Sequence, residues 1–206
     1  MTRISGTTTR ANGRNNNPMA HGTHETEIKL AVPNVAEGRR ILRAGGFQIS
    51  KSRVFESNIV FDNQEQGLRN AGLLLRVRRA GRVHTLTYKG PYTPSKHKSR
   101  EELELEVPDA GMLSTILERL GFHPSFRYDK YRTEFKVAGR AGVGVLDETP
   151  IGIYLELEGT APWIDRMARK LNFSEADYIT KSYGALYHEW CQQQGITPGD
   201  MVFPKS

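Results

Sequence analysis

The segment Glu25-Thr26-Glu27-Ile28-Lys29 contains the pattern on which the fold of this chain depends. Its charged side chains occupy every second position, and the positions between them and after them hold threonine, isoleucine and leucine. Successive side chains of a β-strand point to opposite faces. The alternation therefore predicts a strand over residues 24–32 with one charged face and one largely apolar face.

The same arrangement, a strand with two glutamates at alternate positions followed by a helix, recurs twice further along the chain. After the first strand, a helix is expected between the N-cap Asn34 and the Gly45-Gly46 pair, with Glu37 completing a capping box. Residues 100–107 are the second such strand, followed by a helix capped by Asp109. Residues 154–158 are the third, followed by a helix over about 162–172. These three units form a pseudo-repeat rather than a strict sequence repeat.

Further strands are predicted over residues 47–53, 56–62, 73–79, 82–90, 130–137 and 142–148, with a tight turn at Ala80-Gly81. Residues 92–98 are predicted as a polar loop, and a last helix is expected over about 182–190. The element order predicts an α+β protein in which a closed antiparallel β-barrel carries its helices on the outside.

Charged residues recur at alternate positions on most of these strands. The positions concerned are Glu25, Glu27, Lys29, Arg76, Arg78, Lys89, Arg100, Glu102, Glu104, Lys130, Arg132, Glu134, Asp147, Glu156 and Glu158. On one strand alone, such a face is typical of a solvated surface. Repeated pairs of like charge are not, because neighbouring like charges repel each other. The opposite faces are apolar and three helices are available to cover them, so a closed sheet would turn the charged faces into a lumen.

A lumen that holds both carboxylates and cations favours a metal–polyphosphate ligand. Carboxylates bind hard divalent cations through oxygen, and Mg²⁺ is commonly held by a few carboxylates together with substrate phosphates. Arginine and lysine neutralise phosphate oxygens, arginine through a bidentate fork. A barrel filled with ion pairs and no ligand is the alternative. It is unfavourable because buried charges are costly to desolvate.

Composition places the chain among globular proteins without a disulfide framework. The 206 residues are 37% hydrophobic and 25% charged, which fits one domain with a substantial core. No apolar run approaches the ~20 residues needed to span a bilayer, so no membrane partner is expected. The lone Cys191 fits a cytoplasmic location.

The net charge of +6 is not spread evenly along the chain. Residues 1–22 hold three arginines (Arg3, Arg10 and Arg14) and no acid, so this segment carries half of the net charge. It is poor in apolar residues and is predicted to be a disordered basic leader. The acids and bases of the remaining chain are mixed, which makes nucleic acid an unlikely partner.

Several of these segments, taken in order, resemble the signature of the CYTH superfamily, the triphosphate tunnel metalloenzymes. The matching motifs are Glu25-x-Glu27-x-Lys29, Leu75-Arg76-Val77-Arg78, Thr87-Tyr88-Lys89-Gly90-Pro91, Arg100-Glu101-Glu102-Leu103-Glu104, Lys130-Tyr131-Arg132, the stretch from Asp147 to Glu158, and Lys181-Ser182-Tyr183. The resemblance implies an eight-stranded tunnel over a CYTH domain of residues 23–191, with a C-terminal tail over 192–206. The chain departs from many members at Val60-Phe61-Asp62, where they carry a tyrosine before the Phe-Asp pair.

The resemblance also implies roles for individual residues and a requirement for Mg²⁺ or Mn²⁺. The implied metal ligands are Glu25, Glu27, Glu102, Glu104, Asp147, Glu156 and Glu158. The implied triphosphate-binding residues are Lys29, Arg76, Arg78, Lys89, Arg100, Lys130 and Arg132. The residues expected to take part in catalysis are Glu25, Glu27, Glu102, Glu104 and Lys29.

Three functions fit such a chamber, with a small-molecule triphosphate as the partner and either a monomer or a homodimer as the assembly. Hydrolysis of an inorganic or organic triphosphate is favoured, because it needs only triphosphate and water. Cyclisation of ATP to cyclic AMP and pyrophosphate, as in class IV adenylyl cyclases, is the alternative and requires a pocket for adenine and ribose. The third is a non-catalytic binder of polyphosphate or nucleotides.

Overall fold

Eight strands and five helices account for most of the computed structural model, which describes residues 23–93 and 95–204. The strands are β1 (Thr23–Val32), β2 (Gln48–Asp62), β3 (Leu74–Ala80), β4 (Val83–Lys89), β5 (Lys98–Val107), β6 (His123–Lys136), β7 (Val143–Thr149) and β8 (Gly152–Glu158). The helices are α1 (Val35–Ala44), α2 (Gly67–Asn70), α3 (Ala110–Arg119), α4 (Ala161–Lys170) and α5 (Tyr183–Gln194). The predicted leader, residues 1–22, lies outside the described residues.

The strands close into one antiparallel barrel with the order β1-β5-β4-β3-β2-β6-β7-β8. Every neighbouring pair is antiparallel, including the closing pair of β1 and β8. Closure gives every strand an inner and an outer face. The predicted α+β fold, a closed eight-stranded barrel with outer helices, is confirmed. None of the helices within the described residues is long and apolar enough to cross a membrane.

Helices cover the apolar outer faces of the strands, as the alternation requires. Helix α1 packs on β1, β7 and β8, α4 packs on β1 and β8, and α3 packs on β3. The largest core cluster contains Ile28, Leu30, Leu42, Leu146, Leu155, Leu157, Trp163, Ile164 and Met167. Burial of such side chains is the main force that holds the helices against the barrel, and it fixes the charged faces on the inside.

The predicted caps of α1 and α3 are present. The side chain of Asn34 accepts a hydrogen bond from the backbone N–H of Glu37 at 2.9 Å, and Asp109 accepts one from Met112 at 2.9 Å. The capping box of α1 is only half formed, because the carboxylate of Glu37 accepts hydrogen bonds from Arg40 instead.

Strands β2 and β6 are longer than the sequence pattern predicts. The two strands expected over 47–53 and 56–62 are one 15-residue strand, and β6 begins at His123 rather than near residue 130. They pair along their length, from Gln48 opposite Lys136 to Asp62 opposite His123. Register shifts between Ile49 and Val54 show that β2 continues through irregular pairing. This irregularity, together with Pro124, breaks the simple alternation in the sequence.

The structure describes the predicted C-terminal tail as far as residue 204, and part of this segment pairs with the barrel. Helix α5 ends at Gln194, and Met201 then forms a parallel bridge to β6. Its backbone N–H donates to the carbonyl of Arg127 at 2.9 Å, and its carbonyl accepts from Asp129 at 2.9 Å. Strand β7 pairs with β6 only from Tyr131 onward, so this segment covers the part of β6 that β7 leaves free.

Candidate functional site

The barrel encloses a cavity of about 1500 Å³ that runs along its charged inner face. Thirteen of the residues expected to bind metal or triphosphate line it. These are Glu25, Glu27, Lys29, Arg76, Arg78, Lys89, Arg100, Glu102, Glu104, Lys130, Arg132, Glu156 and Glu158. The structure therefore brings together residues from six strands in one chamber.

Asp147 is the predicted site residue that does not line the cavity. Its side chain is 0% exposed and accepts hydrogen bonds from Lys130 at 2.8 Å, Arg132 at 2.8 and 2.6 Å, and the hydroxyl of Tyr183 at 2.8 Å. Both of its oxygens are thus occupied by protein donors. The residue orients two lumen cations and has no oxygen open to the chamber.

On β1 and β8, a lysine lies between two carboxylates. Lys29 Nζ is 2.8 Å from Glu27 Oε1 and 3.3 Å from Glu156 Oε1, and Lys29 stands opposite Glu156 in the strand register. Although burial opposes ionisation, the nearby positive charge of Lys29 holds the pKa of Glu27 well below its usual range. The carboxylates in turn raise the pKa of Lys29 despite its burial. All three groups are therefore charged at neutral pH.

On the adjoining strands β3, β4 and β5, Lys89 and Arg76 hold the β5 glutamates. Lys89 contacts Glu25, and its Nζ lies 2.9 Å from Glu102 Oε1. Arg76 Nη2 lies 3.4 Å from Glu104 Oε1, and its Nη1 donates to the hydroxyl of Tyr128 at 3.1 Å. Burial and the negative charge of Glu25 raise the pKa of Glu102, although Lys89 opposes this.

Glu158 is the lumen carboxylate that has no cationic partner within 4.0 Å among the described residues. Burial, followed by the negative charges of Glu25 and Glu156, raises its pKa to about 7. It stands opposite Glu27 in the register of β1 and β8. Glu158 therefore lies among carboxylates whose cationic partners contact those neighbours and not Glu158 itself.

The lumen carboxylates are chemically suited to bind a divalent metal, because their oxygens are hard ligands. The raised pKa of Glu158 marks a place where an added cation would relieve the repulsion between carboxylates. Within the described ranges, however, no three His, Cys, Asp or Glu side chains converge closely enough to form a ready-made metal site. The lysines and arginines hold these carboxylates instead.

Arg100 is the lumen cation without a carboxylate within 4.0 Å among residues 23–93 and 95–204. Its Nε is buried and has no hydrogen-bond partner. The guanidinium lines the cavity and stands opposite Glu25 in the register of β1 and β5. An unpaired cation with a buried unsatisfied donor is typical of a site for an anionic ligand.

Three residues of the cavity lining were missed by the sequence prediction: Lys98, Glu56 and Tyr128. Lys98 lies 3.5 Å from Glu27, and burial lowers its pKa to about 8 although Glu27 opposes the shift. Glu56 lies 3.5 Å from Arg78 and 3.6 Å from Lys130. Despite burial, Lys130 and the nearby arginines lower the pKa of Glu56 to about 2.

The alternation itself contains the signal that could have found two of them. Lys98 is two positions before Arg100 on β5, and Tyr128 is two positions before Lys130 on β6. Lys98 was instead assigned to the loop over residues 92–98. The end of that loop is fixed by His97, whose Nε2 lies 2.7 Å from Asp165 Oδ1 on α4. This contact anchors the chain immediately before Lys98.

A closed antiparallel barrel with paired cations and carboxylates along its lumen defines the triphosphate tunnel fold. The CYTH domain model matches residues 23–183. The chain belongs to the CYTH family.

Individual relatives agree with this assignment. The chain is 28% identical over 169 residues to a Methanocaldococcus jannaschii protein named "Putative adenylate cyclase MJ0240", covering 77% of this chain and 95% of the relative. It is similar to the structure of the Pyrococcus horikoshii protein PH1819, with a TM-score of 0.67, 25% identity, and coverage of 80% of this chain and 98% of the other. It also shares its fold with Hippeastrum HpAC1, a "putative adenylyl cyclase" described as having a dominant triphosphatase activity. That likeness has a TM-score of 0.60, 19% identity, and coverage of 84% and 97%.

Proposed function

We propose that this chain is a divalent-metal-dependent hydrolase of triphosphates that acts inside its barrel. The observation that carries the proposal is the composition of the lumen. Apart from residues at the rim, it contains eight cationic and seven carboxylate side chains. The cations are Lys29, Arg76, Arg78, Lys89, Lys98, Arg100, Lys130 and Arg132, and the acids are Glu25, Glu27, Glu56, Glu102, Glu104, Glu156 and Glu158.

This near balance of charge distinguishes the proposed ligand from a bare polyanion. A pocket that bound triphosphate alone would be weakened by seven carboxylates, because each repels the ligand. A triphosphate with bound divalent cations has a small net charge, although its negative oxygens and positive metal ions lie at different places. It presents negative oxygens to the lysines and arginines and positive metal to the carboxylates, so both kinds of lumen residue are used.

Mg²⁺ or Mn²⁺ would be held by Glu25, Glu27, Glu156 and Glu158, with Glu102 and Glu104 as further oxygen donors. Bound there, the metal would supply neutralisation of phosphate charge and activation of a water molecule. The carboxylates of Glu25 and Glu158 support this assignment, since an added cation at their end of the chamber relieves the repulsion that raises the pKa of Glu158.

The cationic residues bind the phosphates and stabilise charge that develops during transfer. Arg76 and Arg78 extend from β3, Lys130 and Arg132 from β6, and Arg100 from β5, so the phosphates are contacted from several sides. Asp147 holds the side chains of Lys130 and Arg132 in place and thereby reduces the reorganisation needed during reaction.

In the proposed step, water attacks the terminal phosphorus while Glu102 accepts its proton, and the phosphoanhydride bond breaks to release orthophosphate and diphosphate. Glu102 suits this role because burial and Glu25 raise its pKa, which makes it a stronger proton acceptor than an ordinary glutamate. Lys89, at 2.9 Å, orients its carboxylate.

Cyclisation of ATP is the second candidate. It is favoured by the size of the cavity, about 1500 Å³, which exceeds what a triphosphate group needs, and by the name of the Methanocaldococcus relative. It differs from hydrolysis in the atom attacked: the ribose 3′-hydroxyl attacks the α-phosphorus and pyrophosphate leaves.

Product analysis distinguishes the candidates. The purified protein would be incubated with Mg²⁺ or Mn²⁺ and inorganic triphosphate, thiamine triphosphate or ATP. Orthophosphate release that requires metal is expected, whereas cyclic AMP with pyrophosphate would favour the cyclase. Binding without any product would instead indicate the non-catalytic binder. A Glu27→Gln variant should lose activity while it remains folded, and full activity in this variant would contradict the assignment of the site.

A further inference from the structure

Strand β1 has two different partners in succession along one of its sides. On that side, Glu27 is paired with Lys98, the first residue of β5, and Lys29 is paired with Ile179 from the segment between α4 and α5. The backbones of Lys29 and Ile179 exchange two hydrogen bonds of 2.9 Å. Because Glu27, Lys29 and Lys98 all line the cavity, the junction between the two partners lies beside charged residues of the chamber.

The residues that precede these two partners meet at one carboxylate. His97 comes immediately before Lys98, and Tyr178 comes immediately before Ile179. His97 Nε2 lies 2.7 Å from Asp165 Oδ1 on α4, and the hydroxyl of Tyr178 donates to the same oxygen at 3.2 Å. The rings of His97 and Tyr178 lie with their centroids 5.9 Å apart. We call His97, Asp165 and Tyr178 the clamp.

The protonation states of the clamp favour these contacts at neutral pH. Although burial opposes ionisation, hydrogen bonds from Lys96 and His97 lower the pKa of Asp165, so this residue is a charged acceptor. Burial, followed by the negative charge of Asp165, raises the pKa of Tyr178 to about 12, which keeps its hydroxyl a donor. His97 is 5% exposed, and a buried polar group that loses its partner is costly.

Lys98 depends on its backbone for its position in the chamber. Its Nζ lies 3.5 Å from Glu27 Oε1, whereas Lys29 Nζ lies 2.8 Å from the same oxygen, so Lys98 makes the weaker contact with this carboxylate. The regular ladder between β4 and β5 ends at Glu102, four positions after Lys98. Pairing with β1 and the anchored His97 therefore fix the chain at Lys98.

We propose that the clamp positions Lys98 to bind the triphosphate, and that His97 is the residue that acts through it. This inference rests on the proposed function, because it assumes that phosphate lies beside Lys98 in the lumen. His97 contacts α4 and does not line the cavity, so it is a positioning residue and not a phosphate ligand. Loss of its Nε2 contact would release the first residue of β5 and displace the ammonium group. A displacement of about 1 Å is enough to weaken a ligand contact strongly.

A double-mutant cycle tests whether His97 acts through Lys98. His97→Phe keeps an aromatic ring but removes the N–H donor, whereas His97→Gln retains a donor near the position of Nε2. Both would be compared with Lys98→Met and with the double variant His97→Phe/Lys98→Met. The measurements are the Kd of inorganic triphosphate with Mg²⁺ by calorimetry, kcat/KM for its hydrolysis, and the thermal midpoint.

Asp109→Ala is the control for a merely structural effect. It removes the N-cap of α3, a hydrogen bond of 2.9 Å to the backbone of Met112, and involves no member of the clamp. This variant should lower the thermal midpoint and leave the Kd for triphosphate within about twofold of wild type.

His97→Phe and Lys98→Met should each raise the Kd by about tenfold or more and lower kcat/KM by a similar factor. The double variant should match Lys98→Met within about twofold, because the clamp has no further role once the ammonium group is absent. His97→Gln should remain within about threefold of wild type, since it keeps a donor for Asp165.

Multiplied effects in the double variant, an unchanged Kd in His97→Phe, an equal loss in His97→Gln, or the same loss in Asp109→Ala would overturn the proposal. Asp165→Asn weakens the same contact from α4 and would be taken through the same cycle, so the outcome does not depend on whether His97→Phe folds. If the wild-type protein binds triphosphate without releasing orthophosphate, the proposed hydrolysis fails and the Kd values still decide on the clamp. If it does not bind triphosphate, both proposals are wrong.

Discussion

The carboxylate of Asp147 accepts two hydrogen bonds from the guanidinium of Arg132, at 2.8 and 2.6 Å, although no part of Asp147 reaches the cavity. The same carboxylate binds Lys130 at 2.8 Å. One fully buried acid thus sets the direction of two cations that line the lumen. Its position opposite Arg132 follows from the pairing of β6 with β7.

Replacement Asp147→Asn should destabilise the fold and weaken triphosphate binding together. Loss of the negative charge leaves Lys130 and Arg132 without their buried partner, and removal of one member of a buried pair costs about 3–5 kcal/mol. Because asparagine retains the shape and part of the hydrogen bonding, we expect a loss of about 2–4 kcal/mol, measured by urea unfolding. Glu37→Gln, which alters an exposed pair with Arg40, is the control and should leave the midpoint unchanged. Equal midpoints for both variants would show that the Asp147 network contributes nothing.

Two adjacent arginines on β3 allow the inner and outer faces to be compared directly. Arg78 lines the cavity, 3.0 Å from Asn58 and 3.5 Å from Glu56, whereas Arg79 is exposed on the outer face. Arg78→Ala should lower kcat/KM for triphosphate by about 100-fold, as removal of one charge-stabilising donor commonly does. Arg79→Ala should leave it within about twofold. Circular dichroism would verify that both variants fold. Similar kinetics in the two variants would contradict the placement of phosphate in the lumen.

The stability of the protein should depend on Tyr128 above pH 8. Burial opposes ionisation of this phenol, but the positive charges of Arg76, Arg78 and Lys130 lower its pKa to about 8, against an ordinary value of 10.0. Between these values the unfolded chain binds more protons than the folded one, so stability rises with pH through this window. The difference in unfolding free energy between wild type and Tyr128→Phe should grow by roughly 2 kcal/mol from pH 7.5 to 10, within the limit that a two-unit shift sets. A difference independent of pH would refute the assigned shift.

Glu158 should make the response to a divalent cation depend on pH. Burial, Glu25 and Glu156 raise its pKa to about 7, so its contribution to stability is lost as pH rises from the ordinary value of 4.5 through 7. Without metal, Glu158→Gln should therefore be more stable than wild type at pH 8, by roughly 1 kcal/mol after allowance for partial solvation.

Mg²⁺ should reverse this order, because it interacts with the ionised carboxylate and not with the amide. Thermal midpoints at pH 6 and pH 8, with and without Mg²⁺, provide the measurement. Glu118→Gln, on the exposed side of α3, is the control and should respond to Mg²⁺ as wild type does. The same Mg²⁺ shift in wild type and Glu158→Gln would exclude a metal-binding role for Glu158.

The barrel and most of its lumen could be predicted from the sequence because the decisive information is local. The two-residue period of a strand places Glu25, Glu27 and Lys29 on one face, whatever the position of that strand in the fold. The apolar residues of the opposite face must be buried, and the predicted helices can bury them. That requirement forces the charged faces inward, so closure of the sheet is enough to bring thirteen predicted residues together.

The sequence pattern failed where the charged alternation is interrupted or where a contact joins distant segments. Glu56 was missed because the next alternate positions of its strand, Asn58 and Val60, are uncharged, and Lys98 was missed because of the loop composition before β5. The sequence placed Asp147 on a charged face. Only the packing of Tyr183 and Arg132 around it decides that its oxygens are unavailable to a ligand.

The segment Glu25–Lys29 by itself determined an alternating strand and the kind of chemistry its face can perform. It could not determine which lysine pairs with each of its carboxylates, since Glu25 contacts Lys89 on β4 and Glu27 contacts Lys29 on its own strand. The tertiary structure alone decided these pairings, the burial of Asp147, and the return of residues 198–201 to the tunnel mouth. Alternation is a property of one strand, whereas pairing and burial depend on strand register and on helix packing between residues far apart in the chain.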